Sequence, residues 1–183
     1  MSNGRSPLSG PERAGTRREM KLRAALGESL IYTRGTVPET GVAWTTALEI
    51  AESLDDVEYR LRSLRGVWFF HISTSRHRVA LALAERFCTL AANRPDPNDR
   101  LVGERLLGVT QYSLGDLPGA RRHLERVLAD YVTSDDKHII RLQIDLRAGA
   151  RMFLARILGC RAFRIRRGAR QKAASRTPAR PIT

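Results

Sequence analysis

The stretch LGVTQYSLGDLPGARRHLERV, residues 107–127, decides how this chain folds. Apolar residues recur at helical spacing on both sides of Gly115-Asp116, so the stretch reads as two helices joined by a tight turn. Gly108 and Ala120 are small enough to let the two helices approach closely, and Gly115 permits a turn that a Cβ would obstruct. Tyr112, Leu124 and Val127 supply the rest of the pattern.

Working outward, the same arrangement is echoed upstream by Leu64, Gly66, Phe70, Ser75, Ala80, Ala84 and Phe87, and again by Leu26-Gly27, Leu30, Ala43 and Ala47. From Met20 to about Cys160 the apolar spacing stays helical, and no strand-like alternation persists. Turn residues collect at Thr33–Glu39, Leu54–Asp56, Ile72–Arg76, Asn93–Asp99, Leu114–Pro118 and Val132–Lys137. They predict helices over Arg18–Tyr32, Thr40–Ser53, Val57–His71, His77–Ala92, Arg100–Ser113, Leu117–Tyr131 and Ile139–Gly159. The expected fold class is therefore all-α: antiparallel helical hairpins stacked in sequence, three of them complete and a fourth represented by its first helix.

With 183 residues, 42% of them hydrophobic, the chain suffices for one ordinary domain with a real core. Cys88 and Cys160 lie far apart with no CxxC spacing, which suggests neither a disulfide framework nor a zinc site and fits a reduced, cytoplasmic setting. Residues 1–18 are rich in Gly, Pro, Ser and Arg, lack the apolar core of a signal peptide, and are expected to be a disordered segment. No later stretch approaches the roughly 18 apolar residues of a membrane span, so the sequence predicts a soluble protein with no membrane partner.

The formal charge of +13 invites a nucleic-acid partner, but its location argues otherwise. Eight of those charges, Arg161, Arg164, Arg166, Arg167, Arg170, Lys172, Arg176 and Arg180, lie beyond Cys160 with no Asp or Glu among them, leaving an unexceptional +5 for the rest. The tail also lacks the interleaved aromatics of a single-strand binder, having only Phe163.

At Ala25-Leu-Gly, Tyr32-Thr-Arg-Gly-Thr-Val-Pro-Glu, Ala43-Trp, Ala47-Leu-Glu-Ile-Ala-Glu-Ser-Leu, Ala80-Leu-Ala-Leu-Ala-Glu-Arg-Phe-Cys and Leu114-Gly-Asp-Leu-Pro-Gly-Ala-Arg-Arg-His-Leu-Glu-Arg the chain resembles a known bacterial region. It is similar to the C-terminal tetratricopeptide-repeat part of large signalling regulators, which join a winged-helix, LuxR-type or adenylate-cyclase effector to a STAND-type ATPase. The resemblance covers residues 19–158, although the period here is about 40 residues against about 34 for an ideal tetratricopeptide repeat. It implies a solenoid that senses a partner or ligand and controls an ATPase and effector. Neither of those parts is in this sequence, which holds no GxxxxGK[ST] phosphate loop.

The resemblance stops after Leu158. Repeats of this kind would continue approximately Trp-Leu-Gln-Gly-Phe-Pro-Asp-Gln-Ala, whereas the chain reads Gly159-Cys-Arg-Ala-Phe-Arg-Ile-Arg-Arg. Loss of one base from suitable codons for the first converts it into the second. Residues 159–183 are therefore expected to be a basic, disordered tail produced by a frameshift, and the shifted frame of the gene should go on as repeat sequence.

No catalytic constellation emerges. His71, His77, His123 and His138 form no metal spacing, and His77 stands where the repeat usually carries an aromatic. Asp55-Asp56 and Asp135-Asp136 precede predicted helices, where carboxylates cap free N–H groups. Ser29, Ser63, Ser73, Ser75 and Ser113 have no nucleophile-elbow context. Trp44, Trp68, Phe69, Phe87 and Cys88 fall within amphipathic helices and are expected in the core. The expectation is a protein that is not an enzyme and needs no cofactor or metal.

What remains is the groove that the resemblance implies, lined by the first helix of each hairpin. With Gly66 and Gly108 as equivalent positions, that face carries Arg60, Ser63, Val67 and Phe70, then Val102, Arg105, Val109 and Tyr112, and Glu28 with Ile31 extends it. Arginines among aromatic and aliphatic residues suit an acidic or carboxylate-ended peptide. Packing against a neighbouring helix would explain Val67 and Phe70 equally well. The function expected is a non-catalytic interaction or sensor module for a protein or peptide, such as an ATPase or effector domain. A nucleic-acid adaptor using the tail, and a gene remnant without function, are the alternatives.

Overall fold

The computed structural model describes residues 10–130 and 145–174. Among the described residues there are seven helices and no strand: α1 (Gly10–Thr33), α2 (Pro38–Ser53), α3 (Val57–Ser73), α4 (His77–Ala91), α5 (Pro97–Leu114), α6 (Leu117–Asp130) and α7 (Leu146–Ala174). The turns from α1 through α6 fall at the predicted positions, four of them where Gly, Pro, Asn or Asp collect and the α3–α4 turn at Thr74-Ser75-Arg76. The predicted turn at Val132–Lys137 and the predicted helix start at Ile139 lie outside the described residues.

Local chemistry sets the boundaries. Pro38 and Pro97 occupy the first turns of α2 and α5, where a missing N–H costs nothing. Asp56 accepts a hydrogen bond from Tyr59 N at 3.1 Å and caps α3, and Asp96 caps α5 through Asn98 N at 2.9 Å. At the α5–α6 corner Gly115 takes φ +88°, and Asp116 Oδ1 receives Gly119 N at 2.9 Å. The corresponding residue of the α3–α4 corner is Ser75, forced to φ +60° without being glycine.

Both ends of the described fold are more helical than composition suggests. α1 begins at Gly10, eight residues before the predicted start, so residues 10–18 are helix rather than disordered chain. Pro11 sits in its first turn, and Arg13 and Arg17 reach back to Leu54 O (3.4 Å) and Asp56 Oδ2 (3.1 Å), tying these turns to the α2–α3 corner. At the other end α7 runs straight through Gly159 to Ala174, where a disordered tail is predicted. The Arg- and Ala-rich sequence after Leu158 favours helix and meets no proline before Pro178.

Each helix packs against the next, and α1, α3, α5 and α7 also touch in succession, whereas the backbones of α2, α4 and α6 stand further apart, with the ion pair of Arg86 and Glu52 bridging α4 to α2. The result is two rows, an odd row in mutual contact and an even row set apart. The main core lies between them and includes Trp44, Leu64, Phe87, Leu106, Leu124 and Ile157, with a smaller cluster of Met20, Ala51 and Leu54 under α1. Trp44 is the largest fully buried side chain. It is wedged between two helices that approach only because they carry glycine: a Cβ on Gly27 would stand 2.7 Å from its ring, and one on Gly66 2.1 Å.

Candidate functional site

The odd row is bound together by polar and aromatic side chains, which is unusual for surfaces that face a core. Between α1 and α3, Glu28 Oε2 accepts from Arg62 Nη2 at 2.5 Å, while Glu28 Oε1 stands 3.5 Å from Arg65 Nη2, an ion pair without hydrogen-bond geometry. Between α3 and α5, the buried indole of Trp68 donates to Thr110 Oγ1 at 2.9 Å, and that hydroxyl donates to Leu106 O at 2.8 Å. Between α5 and α7, Tyr112 meets Phe153 edge-on with ring centres 5.4 Å apart, and Arg156 lies over the Phe153 ring.

Two recesses open beside Arg65. The larger, about 190 Å³, is lined by Glu28, Ile31, Tyr32, Trp44, Gly66 and Phe69 together with Arg65. A water needs roughly 10–15 Å³ by this measure, so there is room for a group of several heavy atoms. Trp44 and Phe69 give the recess apolar aromatic surface, and Trp44 Nε1 is buried with no hydrogen-bond partner. The smaller recess, about 50 Å³, has Glu58, Arg62, Arg65, Phe87, Arg94 and Asp99 on its walls, with Arg94 Nε held by Asp99 Oδ2 at 3.1 Å.

Burial shapes the electrostatics. The Arg65 side chain is only 13% exposed, and desolvation pulls its pKa down while the Glu28 carboxylate opposes the shift. Arg105, on the next odd helix, is pushed down to about 10, by burial first and then by the positive charge of Arg65. Its Nε is buried without a hydrogen-bond partner and lies against Gly149 of α7, where a Cβ would come within 2.8 Å. Two guanidinium groups, those of Arg62 and Arg65, thus share the Glu28 carboxylate, while Arg105 lies under α7.

Of the ten residues predicted to line a binding face, two line a recess and two lie at the α5–α7 junction. Glu28 and Ile31 line the larger recess, and Arg105 and Tyr112 join α5 to α7. Ser63, Val67, Val102 and Val109 are buried in helix packing. Phe70 packs toward Gly41 of α2 and edge-on to His71, and Arg60 pairs with Asp55 at 3.0 Å beside the α2–α3 corner. The cause is a register error. Gly108 abuts Leu124 of its own hairpin, as Gly27 abuts Trp44 of its own, but Gly66 abuts Trp44 of the preceding hairpin. Gly66 and Gly108 therefore face different directions, and a face counted from both points inward.

Arg62, Arg65, Phe69, Tyr32 and Trp44 escaped that count. A signal for three of them was present in the i, i+3, i+7 spacing of Arg62, Arg65 and Phe69, one stripe of α3 beside the buried Leu61, Leu64 and Trp68.

Elsewhere the titratable groups are structural in their surroundings. His123 Nδ1 pairs with Glu104 Oε2 at 2.7 Å and Arg126 reaches the other oxygen at 3.6 Å, linking α5 to α6. Burial, and then Arg76, lower the pKa of His71. The half-buried Cys88 thiol is pushed up to about 11 by desolvation and by Glu104 and Glu85, so it is a poor nucleophile near neutral pH. Among the described residues no group of three or more His, Cys, Asp or Glu is placed to hold a metal ion, and no helix is long and apolar enough to cross a membrane. Comparison with protein-family models, with curated proteins and with solved structures finds no match for this chain.

Proposed function

We propose that the chain is a non-catalytic interaction or sensor module of the cytoplasm: a short tetratricopeptide-like solenoid, related to the repeat region of multidomain signalling ATPases, that holds a protein or peptide on its odd row. The two-row packing, the glycine-mediated helix crossings and the left-handed corner at Gly115 support the solenoid. In that geometry the row whose helices touch is the concave one.

The observation that carries the binding reading is the open recess between α1 and α3, whose walls combine the aromatic Trp44 and Phe69 with the Glu28–Arg65 ion pair. Apolar pockets rimmed by a few oriented polar groups are common ligand sites.

Peptide display against the purified protein tests this. Enriched peptides should lose binding when Phe69→Asp alters the odd row and keep it when Val79→Asp alters the exposed side of α4. Failure to enrich any peptide, or equal sensitivity to both substitutions, would remove the proposal.

A further inference from the structure

Nine basic residues and no Asp or Glu stand between Leu146 and Ala174, all within the single helix α7. Of its described side chains Ile157 is the last that is buried; Leu158, Gly159 and Cys160 are exposed, and the helix continues to Ala174. Residues 158–174 make nearly five further turns, about 25 Å of helix. The basic run is therefore presented on a helix continuous with one that is seated in the core, and no acidic residue of α7 relieves the repulsion among its charges. Helical register sorts those charges. Arg161 and Lys172 fall on one flank and Arg166 and Arg170 on another, about 150° away, with Ala162, Ile165, Ala169 and Ala173 at positions between them. Arg164 and Arg167 fall behind.

We propose that residues 158–174 of α7 lie in the major groove of a DNA duplex, each flank meeting one phosphate row and the alanine side turned toward the base edges. Charge complementarity selects a polyanion, and the arrangement of charge selects the duplex. The major groove of B-form DNA is about 12 Å wide and admits an α-helix. The deep, narrow major groove of an RNA duplex does not. The lack of interleaved aromatics counts against single strands but not against a duplex, which binds through phosphate contacts and groove fit. A helix that lies on a membrane needs large apolar side chains together on one side. Phe163 and Ile165 instead fall on nearly opposite sides of α7, and the side between the flanks is mostly alanine. This surface is separate from the peptide site of the odd row and does not depend on it.

Fluorescence anisotropy of the full chain with a labelled DNA duplex of about 20 base pairs, two helical turns, tests the proposal. Affinity should fall with salt at a log–log slope of about −4, close to one unit for each flank cation. Combining Arg161→Gln, Arg166→Gln, Arg170→Gln and Lys172→Gln should remove most of that slope. Ile165→Pro keeps every charge but interrupts the helix, and should weaken binding about tenfold at one salt concentration. Both variants change residues beyond the last buried position described, so the far-ultraviolet circular dichroism of the rest of the fold should persist. Undiminished binding by Ile165→Pro would make the segment a polycation whose helix is irrelevant, and overturns the inference. Equal affinity for an RNA duplex of the same length, tighter binding to phosphatidylserine vesicles than to DNA, or no DNA binding at low salt overturns it as well. Peptide binding on the odd row is untouched by any of these results.

Discussion

Along α4 the buried residues are Ala80, Ala84, Phe87 and Ala91, a single stripe on an otherwise solvated helix. α5 buries residues on nearly every side, from Leu101, Val102 and Gly103 through Leu106, Val109 and Thr110. The difference follows from position. The backbone of an even helix packs only against the odd helices before and after it, while that of an odd helix also packs against its odd neighbours. The even row can therefore be closed mainly by apolar burial, with the helical periodicity plain in its sequence and the Arg86–Glu52 ion pair as a surface bridge between α4 and α2. The odd row has to pack in three directions at once, and it does so with glycines, a buried hydroxyl and arginines.

If that contrast is right, the largest losses should come from apolar anchors. Trp44→Ala empties the space between Gly27 and Gly66 and should cost about 4 kcal/mol in urea denaturation; a cost of under about 1 kcal/mol would mean that the two helices collapse together. Gly66→Ala attacks the same contact from the odd row by overpacking. With ring atoms 2.1 Å from the new Cβ it should cost about 2–3 kcal/mol. Combined with Trp44→Phe it should cost less than the two single changes added, a coupling that a double-mutant cycle measures directly. Equal additivity would show that the glycine does not exist for the tryptophan.

Smaller effects sharpen the polar side of the comparison. Thr110→Val keeps the shape of the α3–α5 contact but strands the Trp68 indole N–H, and should cost about 1–1.5 kcal/mol. Smallest, and opposite in sign, is Ser75→Gly. It relieves a left-handed residue at the α3–α4 corner, as Gly115 already does at the α5–α6 corner, and should raise stability by about 1 kcal/mol. A decrease would show that the corner tolerates Ser75 without strain.

The same contrast explains what could be read from sequence. The helices from α2 to α6 were legible because their turns carry Gly, Pro, Asn or Asp, or Ser and Thr at the α3–α4 corner, and because α4 and α6 show one clean stripe each. Of the face read from sequence, only Glu28 and Ile31 line the recess, because an odd helix buried on several sides carries no periodicity that separates an open face from a packed one. Small residues made matters worse: Gly66 and Gly108 look alike in sequence yet serve different helix pairs. The first turns of α1 were hidden for another reason. Their support comes from Arg13 and Arg17 reaching a corner about 40 residues away, a long-range contact that local composition does not register.

Trp44 and Trp68, the two tryptophans of the chain, mark successive junctions. Trp44 lies where the first hairpin meets the second, and Trp68, through Thr110, where the second meets the third. Their emission is consequently a built-in pair of reporters. Opening from the α1 end must expose the indole of Trp44 first, and opening from the α7 end that of Trp68, so two single-tryptophan variants suffice to tell from which end the stack unzips.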